Sequence, residues 1–127
     1  MFEEAGCAVC GKLTPICEME EPINFKSVPN VLVFKINSRN IKVSKTLKFE
    51  QKDETVTMGV RGLIYHGDFH FTSCIIGTDG IVWYHDGMTT GSGCENEGDF
   101  DKFSSKSMLK CKGKKLILVV YARVMSP

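Results

Sequence analysis

His70 and Asp86 are the residues whose types and spacing first offer chemistry: an imidazole and a carboxylate in the stretch from Tyr65 to Gly87. An imidazole at a strand end, oriented by a carboxylate through its second ring nitrogen, is what a thiol nucleophile needs. The base takes the thiol proton, and the acid fixes the tautomer and stabilises the imidazolium. On spacing alone, a surface His and a turn Asp on a β-meander would read the same. Two cysteines invite comparison with a nucleophile. Cys74 lies on the same strand as His70 but about 13 Å along it, too far for a direct hydrogen bond. Cys94 follows Asp86 in a Gly-rich segment, and nothing around it predicts a lowered thiol pKa. Packing or an incidental loop position explains both better.

Cys7-Ala-Val-Cys10 has zinc-knuckle spacing, two thiols on one tight turn between Gly6 and Gly11. A structural zinc needs four ligands. Cys17 offers a third, and a second copy of the chain would offer another pair. The alternative is a half-site with reduced thiols, which the shortage of ligands favours.

The elements that must position these residues come from a chain of 127 residues, one domain or part of one. The apolar share of 43% and charged share of 24% are ordinary for a globular protein, so disorder is not expected. Sixteen basic and fifteen acidic residues leave +1, which gives no electrostatic reason to expect nucleic acid or a membrane as partner. Lys110, Lys112, Lys114 and Lys115 make the one basic cluster, read as a solvated loop before a strand. No apolar run approaches the roughly 20 residues of a membrane span. The first residues lack a basic and an apolar leader region. An intracellular protein of cytoplasm or nucleus is therefore expected, with its six cysteines, Cys111 included, reduced.

Val31 to Asn37 alternates Val31, Val33, Lys35, Asn37 with Leu32, Phe34, Ile36, a strand with one buried face. Ile41, Val43, Leu47 and Phe49 predict short strands, and Lys52-Asp53-Glu54 a turn. Strands follow over Val56 to Val60, Arg61 to His66, His70 to Ile76 and Ile81 to His85. Gly67-Asp68 and Gly77 to Gly80 supply the turn chemistry between them. Met88 to Gly98 reads as a loop, Asp99 to Met108 as a helical turn capped by Asp99, and Lys115 to Val124 as the last strand. Phe71 and Trp83 are expected to pack beneath His70 and Asp86 and to exclude water there.

Read together, these segments resemble the C-terminal box of the ubiquitin-specific proteases. Leu63-Ile64-Tyr65-His66-Gly67 looks like that family's apolar strand ending in His and Gly. His70-Phe71-Thr72-Ser73 looks like its catalytic His strand, Trp83-Tyr84-His85-Asp86 like its Trp-to-Asp element, and Leu116 to Arg123 like its terminal strand. Pro29 to Ile36 is similar to the proline-led strand before the box, and Cys7 to Cys10 to the second CxxC of the family's zinc-bearing fingers. The resemblance implies a mainly β fold: an antiparallel sheet like the palm half of a papain-like protease, with at most one short helix. It implies a remnant of the fingers over residues 1–22 and a C-terminal β-domain over 23–127. It also implies His70 as general base and Asp86 as its orienting acid, with Phe69 and Trp83 at the substrate channel. Zinc at Cys7 and Cys10 would be structural; catalysis would need no cofactor.

Three features depart from the family pattern. Phe69 stands where the Gly before the His is usual, the Trp-to-Asp interval is one residue shorter, and the Phe-Thr-Ser wording leans towards SUMO-directed relatives. The family's Asn/Cys box belongs before the fingers, and the sequence begins after that point. Two functions are therefore expected as alternatives. One is the C-terminal part of a cysteine isopeptidase, a deubiquitinase or SUMO-directed relative, inactive without its thiol. The other is a non-catalytic binding module for a ubiquitin-like protein or another partner. A homodimer, or a partner carrying the N-terminal half, would cover the apolar face that a thumb normally covers.

Overall fold

The computed structural model describes residues 28–37 and 41–124. The expectations for Cys7, Cys10 and Cys17, and for the boundary after residue 22, lie outside those residues. The described chain is a mainly antiparallel β fold. Its strands are β1 (Val31–Lys35), β2 (Thr46–Gln51), β3 (Glu54–Gly67), β4 (His70–Ile76), β5 (Ile81–His85), β6 (Glu95–Asp99), β7 (Lys110–Cys111) and β8 (Lys114–Arg123), with one short helix, α1 (Ser105–Met108). They form a single sheet in the order β1-β8-β3-β4-β5-β6, with β2 paired to β3 and β7 to β8.

Alternation explains the strands. Along β3 the buried residues are Val56, Met58, Val60, then Leu63 and Tyr65; the phase shifts by one at Arg61, where the β3–β8 register also slips. A bulge there keeps both halves of a long strand facing the same core while bending it. Thr72, Cys74 and Ile76 of β4 and Val82 and Tyr84 of β5 point the same way. Val119 and Tyr121 of β8 complete that face, and Met108, Phe100, Leu47 and Val43 close over it. Two buried tyrosine hydroxyls reach distant backbone: Tyr65 donates to Met108 O at 2.8 Å and Tyr121 to Ser44 O at 2.6 Å. Each ties the sheet to the segment lying across it.

The short helix lies within the expected span but is capped by Ser104, whose hydroxyl accepts from Ser107 N while Ser107 Oγ takes the Ser104 N–H. Asp99 instead caps the 3₁₀ turn Phe100–Lys102. Two other expectations are corrected. The segment read as a loop from Met88 to Gly98 ends in β6, which pairs with β5 from Glu95 onward; Glu, Asn and Gly carry no strand periodicity, and the pairing comes from the neighbouring edge. The β3–β4 turn is Asp68-Phe69 rather than Gly67-Asp68, since Gly67 pairs with His70. Among the described residues no helix is long and apolar enough to cross a membrane.

Candidate active site

Antiparallel pairing gathers one rim of the sheet: the end of β3 at Gly67, the start of β4 at His70, the end of β5 at His85 and the start of β8 at Lys114. Gly67 lets Lys114 come close here without crowding. A Cβ there would meet Lys114 Cγ at 3.1 Å and Lys114 Cα at 3.3 Å. His70 and Asp86 share the core-facing parity of β4 and β5 and meet at the rim, with Nε2 of His70 2.6 Å from Oδ1 of Asp86.

Asp86 is fixed from several sides. Its Oδ1 also accepts from Met88 N at 2.9 Å, and the Tyr84 hydroxyl lies 3.4 Å from Oδ2. Its backbone N–H donates to Thr90 Oγ1 at 3.1 Å, and its carbonyl accepts from Thr90 Oγ1 at 2.8 Å and Thr90 N at 2.7 Å. The His70 contact, then the Met88 N–H, hold the carboxyl at about 2, below its ordinary 3.8. An ionised carboxylate only accepts, so the short contact places the proton on Nε2. In the neutral imidazole Nδ1 then carries the lone pair and is the atom that can take a proton from an incoming group.

Beneath the pair lie Tyr84, Thr72 and Cys74, all buried. Burial, and then the Asp86 carboxylate, raise the Tyr84 phenol above its ordinary range, so it stays a donor. Phe71 and Trp83 are not there. They project from the opposite face, 60% and 38% exposed, and form with Ile75 the solvent side of the β4–β5 hairpin. The expectation that they shield the pair is therefore corrected: strand alternation puts Thr72 and Tyr84, their neighbours in sequence, on the His70 side. Trp83 is likewise across the sheet from the channel position assigned to it. Phe69 does stand beside His70, 101% exposed, at φ +60°.

None of the described cysteines bonds His70. Cys74 is buried opposite Leu63 and Tyr84, and its hydrogen bond to Cys111, together with burial, raises its thiol far above the ordinary range. The same bond lowers Cys111, a partly exposed thiol on β7. Cys94 is exposed. No group of three or more His, Cys, Asp or Glu is placed to hold a metal among the described residues.

Sequence reasoning missed Tyr84, Met88 and Thr90 as supports of Asp86. Their signal was present in Asp86-Gly-Met-Thr-Thr90, an Asp followed two residues on by a backbone donor and four on by a hydroxyl, the pattern of a side chain organising its own turn. The chain matches no protein-family model, no curated protein and no solved structure.

Proposed function

We propose that this chain is the base-and-acid half of a cysteine-isopeptidase-type site, resembling the palm of the ubiquitin-specific proteases and directed at ubiquitin or a SUMO-like modifier. The observation that carries the reading is the 2.6 Å contact between His70 Nε2 and Asp86 Oδ1, which leaves Nδ1 for a thiol. The thiol comes from outside the described residues. In the reaction, Nδ1 takes the Sγ proton and the thiolate attacks the isopeptide carbonyl. Imidazolium, stabilised by Asp86, returns that proton to the leaving lysine amine, and water hydrolyses the thioester. Phe69, exposed next to His70, contacts the chain that reaches Nδ1.

Joined to a cysteine-bearing half, the chain hydrolyses a ubiquitin- or SUMO-derived fluorogenic amide, and His70→Ala abolishes the rate. Survival of the rate in that variant overturns the role given to His70.

A second reading, a non-catalytic binding module, is favoured by the exposed side of the β4–β5 hairpin, Phe71, Ile75 and Trp83. Labelling with a ubiquitin- or SUMO-based electrophile separates the two. No adduct, together with saturable binding of the free modifier, favours the module.

A further inference from the structure

The basic cluster near the C-terminus has a structural setting that the His70 site does not use. A cavity of about 390 Å³ opens where the end of β1 meets β7 and β8. Its walls are Ile36, Leu109, Leu116 and Ile117, with Leu116 buried. The walls are tied together by backbone, Ile36 N to Ile117 O at 2.8 Å and Leu116 N to Leu109 O at 3.0 Å, so the cavity is preformed. Its polar lining is Asn37, Lys110 and Lys115.

Lys110 and Lys115 are direct cross-strand partners in the β7–β8 ladder. Like charges placed directly opposite on a sheet repel and destabilise it. The lysine that does find an acidic partner is Lys112, with Glu97 at 3.9 Å. Among the described residues neither the Lys110 nor the Lys115 ammonium makes a hydrogen bond or ion pair. Among the described residues the arrangement is therefore an apolar cavity lined also by an amide and by two lysines with no acidic partner.

We propose that this cavity binds a carboxylate attached to an apolar group, with the anion between Lys110 and Lys115 and the apolar part against Ile36, Leu109, Leu116 and Ile117. The carboxylate relieves the lysine repulsion, and Asn37 adds a hydrogen-bond donor. The volume lies at the lower end of the range for small-ligand pockets, about 300–1,000 Å³. That size suits a medium-chain fatty carboxylate or one acidic-apolar stretch of a peptide. Nucleic acid does not fit an apolar lining in a chain of net charge +1. Lys115 lies two strands from His70, about 10 Å at the usual strand spacing, so an occupant would sit on the same rim. The binding itself does not depend on thiol chemistry at His70.

The test uses the full chain, ¹³C-methyl labelled, titrated with decanoate below its micellar concentration and with the peptide acetyl-Leu-Leu-Glu-Leu-amide. Saturable shifts of Leu109, Leu116, Ile36 and Ile117 methyls with either probe support the proposal and identify the source. Decanol and decyltrimethylammonium should bind at least about tenfold more weakly, and Lys110→Gln with Lys115→Gln should weaken the responding probe by a similar factor, the scale of a lost charged hydrogen bond. Each single Lys→Gln variant should melt no lower than the parent, since it removes a repulsion. No saturable shift with either probe, or equal binding of decanol, overturns the proposal.

Discussion

Two tight turns sit on the same rim and share one backbone solution with different residues. Lys112-Gly113 joins β7 to β8 with φ of +47° and +85°, and Asp68-Phe69 joins β3 to β4 with φ of +52° and +60°. Positive φ at both central residues is what a two-residue hairpin turn of matching twist requires, and it favours Gly at the second position. The first turn has that Gly. The second has a phenylalanine, which holds a left-handed conformation at a cost of about 1–2 kcal/mol. Its ring is fully exposed, so no packing offsets the cost. Strain of this kind collects at functional sites. The difference leaves the turn beside His70 as the more strained of the two.

The largest effect tests what the two turns have in common. Tyr65 is buried opposite Thr72 of β4 and Leu116 of β8, with its hydroxyl on Met108 O. Tyr65→Ala should cost about 3–5 kcal/mol in chemical denaturation, as for other large buried rings, and speed amide exchange at both turns. Next come the reciprocal swaps. Gly113→Phe should cost about 1–2 kcal/mol, since a Cβ there meets nothing within 4 Å and backbone strain alone is added. Phe69→Gly should gain about 1 kcal/mol and, under the proposed function, weaken binding of the modifier. A loss of stability in Phe69→Gly would show that the ring is structural.

Acid separates the turns further. The folded-state pKa of Asp86, about 2, lies below the ordinary 3.8, so its contribution is complete above roughly pH 4 and is lost as pH falls through about 2. Thermal melts between pH 5 and pH 2 should therefore fall more steeply for the parent than for Asp86→Asn. The smallest effect belongs to the other turn. The exposed Lys112–Glu97 pair is long, and Lys112→Ala should change stability by no more than about 0.5 kcal/mol.

Much of this was legible in the sequence, for identifiable reasons. β1 announces itself by alternation, β8 by its apolar run, and β4 and β5 by the turns that bound them, from which the rim position of His70 and Asp86 follows. Parity went unused: stepping by two from His70 and Asp86 reaches Thr72, Cys74 and Tyr84, which excludes Phe71 and Trp83 from the same side. β6 was illegible because Glu95-Asn-Glu-Gly-Asp99 is a strand only by pairing with β5. The Lys110–Lys115 pair was hidden because the two-residue turn that sets them opposite each other is fixed by tertiary register, not by composition.

The central claim is that Asp86 holds His70 with Nδ1 free to accept a proton. Nitrogen-15 NMR of the imidazole at pH 8 tests it most directly. The account predicts that the neutral ring carries its proton on Nε2, hydrogen-bonded to Asp86, and that this resonance shifts in Asp86→Asn. A proton on Nδ1, or a His70 ring indifferent to Asp86→Asn, would contradict it.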